Sequence, residues 1–283
     1  GICIKSGNAV MLRGGSEAIN SNVHLAHLLD DAATRAGFPS GGIQIIESTD
    51  RALVSEMLKA RKYIDVVIPR GGAQFIEMVV QNAQVPVIET GAGNCHTYVD
   101  KGADLDQALQ IVFNAKLQRP SVCNATKKLL VHEAVASEFL PRVRDELGEA
   151  GVIFLTDERT QEYFPDAALS TEEEWYEEFL DLRLGVKIVD SLEDAIAHIN
   201  KYSSHHSEAI ITKDYNRALQ FINAIDSAAV YWNASTRFTD GAQFGMGAEI
   251  GISTQKLHWR GPMSYEQLTS EKFVIFGQGQ IRQ

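Results

Sequence analysis

Few side chains in this sequence could do covalent chemistry, and a cysteine is the first of them. Cys3, Cys95 and Cys123 lie far apart, so they form neither a disulfide framework nor a CxxC metal pair. In a reducing compartment a lone cysteine is by default a small buried hydrophobe. That reading serves for Cys3 and for Cys95, which sits in the Gly-rich run Gly91-Ala-Gly93-Asn-Cys95-His96. Cys123 differs: it lies in Gln118-Arg-Pro-Ser-Val-Cys-Asn124, just past a proline that must end the preceding helix. A thiol there, between two α/β halves, can meet a cofactor from one side and a substrate from the other. A free thiol with a pKa of ~8.5 is only slightly ionised at neutral pH, so a nucleophilic role calls for local positive charge, and Arg119 is close in sequence.

Two further patterns suit anionic ligands. Arg13-Gly14-Gly15-Ser16 and Arg70-Gly71-Gly72 each pair an arginine with a glycine pair at the carboxyl end of an expected strand, where helix N-termini attract phosphate. Neither is a GxGxxG or a P-loop, so a structural turn and a phosphate cradle both stand open. His205-His206 has no nearby carboxylate or third ligand and makes a poor metal site; a loop role near the substrate fits better. His24 and His27, one helical turn apart, read as surface residues.

The elements that position these residues follow from periodicity. A strand over 7–13 leads to a helix with Ile19, Val23, Ala26, Leu29 and Ala33 on one face, stopped by Gly37 and Pro39. Short strands follow over 43–46, 64–68 and 85–88, the third of these four all but continuously apolar, as in a central parallel strand covered on both faces. Asp50 caps the helix carrying Leu53, Val54, Met57 and Leu58. A helix over 104–118 precedes Cys123, and strands over 128–131, 152–155, 186–189, 209–212 and 228–232 alternate with helices, the one after 186–189 capped by Ser191. Strand–helix alternation with short connections means parallel, doubly wound sheets. Residues 171–179 read as a solvated acidic helix with an aromatic anchor. Residues 234–262 have the Gly, Ser and Thr content of a binding loop. The strand expected over 272–276 is apolar on both faces and needs a cover, for which a neighbouring subunit is the expectation.

Composition sets limits. The 283 residues, 45% of them hydrophobic, suffice for one or two domains. A formal charge of −11 spread along the chain argues against nucleic acid as a partner. No apolar run approaches the roughly 20 residues that span a bilayer, no signal peptide is evident, and cytoplasmic placement is expected. An active site for anions on such an acidic chain must gather its own cations, and Arg70, Arg119 and Arg237 are the candidates.

The residues also carry a resemblance. The run from Val189 through Ala195-Ile-Ala-His198-Ile199-Asn-Lys-Tyr202-Ser203-Ser204-His205-His206-Ser207-Glu208-Ala-Ile210 resembles the signature of the glutamate-5-semialdehyde dehydrogenase (gamma-glutamyl phosphate reductase) family of the aldehyde dehydrogenase superfamily. The stretches 5–15, 68–72, 118–124 and 233–241 resemble its other hallmarks. The resemblance implies an aldehyde dehydrogenase-like α/β fold, two layers with parallel sheets. It divides the chain into a partial NADP-binding domain over 1–103, a catalytic domain over 104–233, a return segment over 234–270 and an oligomerisation strand over 271–283. It implies NADPH-dependent reduction of L-glutamate 5-phosphate to the semialdehyde in proline biosynthesis, through a thioester on Cys123. Arg119, Asn124, Arg237 and His206 are then expected at the substrate. Arg13, Gly14, Gly15, Ser16, Arg70, Gly71, Gly72 and Glu89 are expected at the cofactor, with Arg13 and Ser16 favouring NADPH over NADH. Glu89 stands where hydrolytic relatives carry a general base, which a reductase discharging phosphate does not need. The resemblance further implies a homo-oligomer, with glutamate 5-kinase as a possible partner or fused domain. It implies too that a segment bearing an oxyanion-hole asparagine precedes Gly1, so that this fragment alone is expected to be inactive. Two rivals are an ordinary aldehyde dehydrogenase forming a free acid and a non-catalytic fragment of the same fold.

Overall fold

The structure, a computed structural model, describes residues 1–282. It divides into two compact units, Gly1–Ala52 with Met263–Gln283 and Leu53–Pro262. In the first, α1 (Ile2–Lys5) leads to β1 (Val10–Leu12), α2 (Ile19–Arg35) and β2 (Ile43–Ile45). β1 and β2 pair in parallel, Val10 with Ile43 through Leu12 with Ile45. The carboxylate of Asp30 on α2 accepts from the Ile43 N–H at 3.1 Å, which pins helix to strand. Of the expected α2 face, Ile19, Val23, Ala26 and Ala33 are at least partly covered, but Leu29 stays exposed beside Leu25 and Leu28. Cys3, expected in the core, is only half-buried. The Asn8 side chain donates to the Leu268 carbonyl at 2.8 Å, and the Lys5 ammonium lies 4.2 Å from the Tyr265 ring centre. The strand expected over 272–276 is not formed, and Phe273 and Phe276 are 94% and 93% exposed. Apolar residues on both faces state a need for cover, but a strand also needs an edge to accept its backbone hydrogen bonds.

In the second unit α3 (Ala52–Lys59) and α4 (Ala73–Asn82) come first. Asp50 does cap α3, accepting from the Ala52 N–H at 2.9 Å. The strands expected over 64–68 and 85–88 shrink to one parallel bridge, Val67 with Val87, and Val66 is exposed rather than covered on both faces.

The dominant element is a seven-stranded sheet in the order β6-β5-β7-β4-β3-β8-β9, parallel throughout. It comprises β3 (Cys95–Val99), β4 (Thr126–His132), β5 (Ile153–Thr156), β6 (Ala168–Leu169), β7 (Arg183–Val189), β8 (Ser207–Ile211) and β9 (Ala229–Trp232). The crossovers are α5 (Leu105–Leu117), α6 (Glu133–Glu149), α7 (Glu172–Tyr176), α8 (Leu192–Tyr202) and α9 (Tyr215–Ala224). Side chains alternate faces along each strand. Leu129 and Val131 of β4 therefore join Val112 of α5 and Phe139, Leu140 and Val143 of α6, while Leu130 joins Leu192 and Ile199 of α8 and Phe221 of α9. Two cores thus sandwich one sheet. α7 is the acidic helix expected: Thr171 and Glu174 form a reciprocal cap, and Trp175 is its buried anchor. β10 (Gly251–Ser253) and β11 (Gly261–Met263) pair in the return segment.

β3 has no counterpart in the sequence reading, which left Cys95 and His96 in a turn. It is fully buried and lies at the centre of the sheet, between β4 and β8. Among the described residues no helix is long and apolar enough to cross a membrane, and no three His, Cys, Asp or Glu side chains are grouped to hold a metal ion.

Candidate active site

α5 begins at Asp104, whose side chain accepts from the Gln107 N–H at 3.3 Å, and ends at Leu117. The chain must then cross from the helix layer back to the sheet, and Pro120 forbids further helix. The turn over 118–125 makes that crossing and delivers Cys123 three residues before β4 starts. Because the strands are parallel, the residues entering β3, β4, β7 and β8 share one edge. Cys123 therefore sits at the amino edge of the catalytic sheet, not the carboxyl edge where α/β sheets generally hold ligands.

Several contacts fix the turn. Gly93, entering β3, lies directly on it: a Cβ there would stand 2.6 Å from the Cys123 Cα and closer still to its carbonyl. The Gly93 N–H donates to Glu178 Oε1 at 2.7 Å. Cys95 Sγ donates to the Cys123 carbonyl at 3.1 Å, and Lys127 Nζ donates to the Val122 and Cys123 carbonyls at 2.6 and 2.9 Å. On the other side the return segment closes in. Thr236 Oγ1 donates to the Asn124 carbonyl at 2.7 Å, and Asn124 Nδ2 donates to the Thr239 carbonyl at 2.8 Å. Arg237 binds the Asn124 side-chain oxygen through Nη1 and Gln118 Oε1 through Nε at 2.8 Å.

The Cys123 thiol is half-buried, and burial is the largest influence, pushing its pKa up. Lys127 pulls it back, while the carboxylates of Glu178 and Glu249 push it further up. Cys95 is wholly buried and pushed well up for the same first reason, so it stays a protonated thiol. Burial also pushes the carboxyl of Glu249 up; that residue accepts from the Gly241 N–H at 2.8 Å.

The expected substrate residues thus split. Cys123, Asn124 and Arg237 form one contact set, with Asn124 buried beneath the Arg237 guanidinium, and Arg119 is exposed beside them. His206, expected in a loop near the substrate, is fully buried. Its Nδ1 is 2.8 Å from Ser207 Oγ and 3.8 Å from Cys95 Sγ, and burial pushes its imidazole down to about 3, so it is a neutral packing group behind Cys95. Arg119 was the cation expected to act on the thiol; the one that lowers it most is Lys127. Sequence reasoning also missed Glu178 and Glu249, which lie 55 and 126 positions beyond Cys123. The one signal for Lys127 was its adjacency to Lys128 at the start of an expected buried strand.

Of the expected cofactor residues, Arg70 is exposed at the end of the 64–70 segment, next to Gly251, and Gly71–Gly72 precede the uncapped start of α4. Glu89 donates its backbone N–H to Gln255 Oε1 at 2.9 Å, and Thr90 bridges Ser253, so the return segment gathers these stretches. In the first unit Gly15 precedes a short 3-10 turn over Ser16–Ala18. There a cavity of about 540 Å³ opens between α2 and the end of β2, lined by residues that include Asn20, His24, Glu47, Ser48 and Thr49. Arg13 reaches its wall, with Nη2 3.4 Å from the Thr49 carbonyl. His24 and His27, expected at the surface, are exposed; both line this cavity, and His27 pairs with Glu47 at 3.0 Å. Its size and polar wall suit half of a dinucleotide.

Two thiols thus stand at the amino edge of this parallel sheet, Cys95 wholly buried and Cys123 half-buried in the turn. The model of the aldehyde dehydrogenase family matches residues 1–161, and the chain belongs to that family. It is 60% identical, over all 283 residues, to the gamma-glutamyl phosphate reductase of Moorella thermoacetica, and covers 68% of that protein. To the enzyme of the same name from Clostridium acetobutylicum it is 59% identical over 281 residues, 99% of this chain and 67% of that one. The crystal structure of the Thermotoga maritima gamma-glutamyl phosphate reductase superposes on the whole chain and 68% of its own, with a TM-score of 0.97 at 51% identity.

Proposed function

We propose that the protein this sequence belongs to carries the reaction of those relatives: L-glutamate 5-phosphate is reduced to L-glutamate 5-semialdehyde with release of phosphate, in L-proline biosynthesis. The observation that carries the reading is the 60% identity running the full length of the chain. Cys123 is the nucleophile. Its thiolate bonds to the acyl carbon, the carbon–oxygen bond to phosphate breaks, and phosphate departs with the electron pair, leaving a thioester. A nicotinamide cofactor, when bound, would supply the hydride that reduces this thioester to the aldehyde and frees the thiolate. Arg237, held by Gln118 and Asn124, and exposed Arg119 offer the cationic contacts for the substrate's anionic groups; Asn124 holds Arg237 in place. In this reading NADPH is the reductant. Arg13, Gly14, Gly15 and Ser16 in the first unit, and Arg70, Gly71, Gly72 and Glu89 in the second, are the residues that would hold it.

The reading extends to partners. A second copy of the chain is the proposed cover for the apolar residues 273–276. Glutamate 5-kinase, whose product is this hydrolytically labile acyl phosphate, is the proposed supplier, and the cytoplasm is the proposed compartment.

The test runs the reaction backwards. Oxidation of glutamate semialdehyde with NADP⁺ should require inorganic phosphate; oxidation that proceeds equally without it would show a hydrolytic aldehyde dehydrogenase instead. Cys123→Ser should lose on the order of 10³-fold or more in kcat, and Cys95→Ala should keep most of it. The reverse pattern would reassign the nucleophile.

A further inference from the structure

Three lysines are wholly buried in the catalytic unit: Lys116 on α5, and Lys127 and Lys128 on β4. A buried ammonium is costly unless its protons are used, and each of these binds main-chain oxygen. Lys116 donates to the Asp181 carbonyl at 2.8 Å, and Lys128 donates to the Glu177 carbonyl at 2.8 Å while lying 3.7 Å from the Phe179 ring centre. Both point toward the segment before β7. Only Lys127 turns toward the nucleophile, with Nζ 2.6 Å from the Val122 carbonyl and 2.9 Å from that of Cys123.

We propose that Lys127 is the positioning residue of the nucleophile: it ties the two carbonyls that flank Cys123 and brings its ammonium against the backbone of the turn that carries the thiol. This rests on the assignment of Cys123 as the nucleophile. The groups that face the thiol come from every element packed on the turn. Cys95 belongs to β3, Glu178 to the segment before β7, and Arg237 and Glu249 to the return segment. Glu178 and Glu249 oppose ionisation, and Lys127 is the main cation that favours it. A single buried charge at this range shifts a neighbour's ionisation by about one pH unit or more.

The measurement is the pH dependence of Cys123 alkylation by iodoacetamide, followed by peptide mass mapping so that Cys3 and Cys95 are counted apart. Lys127→Met removes charge and donors at similar volume and leaves the Val122 and Cys123 carbonyls without this donor. Lys127→Gln keeps an N–H donor and removes only the charge. Both should move the inflection up by about one unit, slow alkylation about tenfold at pH 7, and carry the pH profile of kcat the same way. An unmoved inflection in either folded variant overturns the proposal. If neither folds, Lys127→Arg decides, because it keeps charge and donors: its inflection must stay at the parent's, and one moved up by about a unit is again fatal. Failure here is distinct from failure of the nucleophile assignment, which would show as turnover surviving Cys123→Ser whatever the alkylation profile.

Discussion

Gly93→Ala is the sharpest test of the site's construction. The added methyl would stand 2.6 Å from the Cys123 Cα, where 3.4 Å is the near limit of ordinary contact. One backbone must therefore yield by roughly 0.8 Å or more along that line, and the contact with the carbonyl is tighter still. Neither side is free to give. The Gly93 N–H is committed to Glu178, and the Cys123 turn is held by Lys127, Cys95 and Thr236. Overpacking of this kind costs about 1–3 kcal/mol of stability, a fall of several degrees in Tm for a domain of this size. Misplacing a reacting atom by ~1 Å costs on the order of 10²-fold in rate, so activity should fall much more than stability. Turnover of glutamate semialdehyde with NADP⁺ and phosphate, measured beside a thermal melt, separates the two. A Gly93→Ala protein with unchanged kcat and Tm would refute the packing of Gly93 on the nucleophile turn.

Two other predictions concern groups remote from the thiol. Asp100, at the opposite end of β3, is fully buried; it accepts from Arg217 Nε at 3.0 and 2.8 Å, from Thr212 Oγ1 at 2.9 Å and from Tyr98 OH at 3.0 Å. Burial alone would raise its pKa, but the hydrogen bonds from Arg217, Thr212 and Tyr98 win and hold it low. Asp100→Ala should cost about 3 kcal/mol in urea unfolding yet leave Cys123 alkylation unchanged in the folded fraction; a loss under 1 kcal/mol would show the pair to be dispensable. Glu208 of β8 is pushed by burial from its ordinary 4.5 up to about 8, while His96 and His198 are pushed by burial down to about 3 and about 2. Between 4.5 and 8 the folded state keeps a proton on Glu208 that the unfolded chain has released, so stability falls as pH rises through that window. Below 6.5 the unfolded histidines gain protons that the folded ones refuse, so stability falls again as pH drops. A maximum between pH 6 and 7 follows, with about 2 kcal/mol lost from there to pH 8 on the Glu208 arm. Glu208→Gln should flatten that arm in denaturant titrations, and equal slopes in both proteins would rule the carboxyl out.

What could be read from the sequence was what local pattern encodes, namely the caps at Asp50 and Ser191, the strands that became β4, β5, β7, β8 and β9, and the family signature. What could not be read depends on partners distant in the chain. β3 was missed because Cys95-His-Thr-Tyr-Val99 carries polar groups on both faces. Inside the sheet they meet distant polar groups: Thr97 meets Thr126 at 2.7 Å and His96 Nδ1 lies 3.3 Å from a Glu208 carboxyl oxygen, 29 and 112 positions away. The same blindness put the start of β4 at Lys128 rather than Thr126, since a lysine pair reads as solvated until carbonyls from other segments are found for it. Strands at 64–68 and 272–276 failed in the opposite sense. Apolar composition was sufficient to suggest them, but a ladder needs a facing backbone, which composition does not supply. The thiol itself shows why its neighbours matter more than its motif. Burial and two carboxylates oppose its ionisation and, even with Lys127 pulling the other way, hold its pKa above the ordinary thiol value. The sequence Pro-Ser-Val-Cys-Asn marks where the proposed nucleophile lies. The balance between Lys127 on one side and Glu178 and Glu249 on the other decides how much of it is thiolate, and that balance exists only once the sheet has brought the four together.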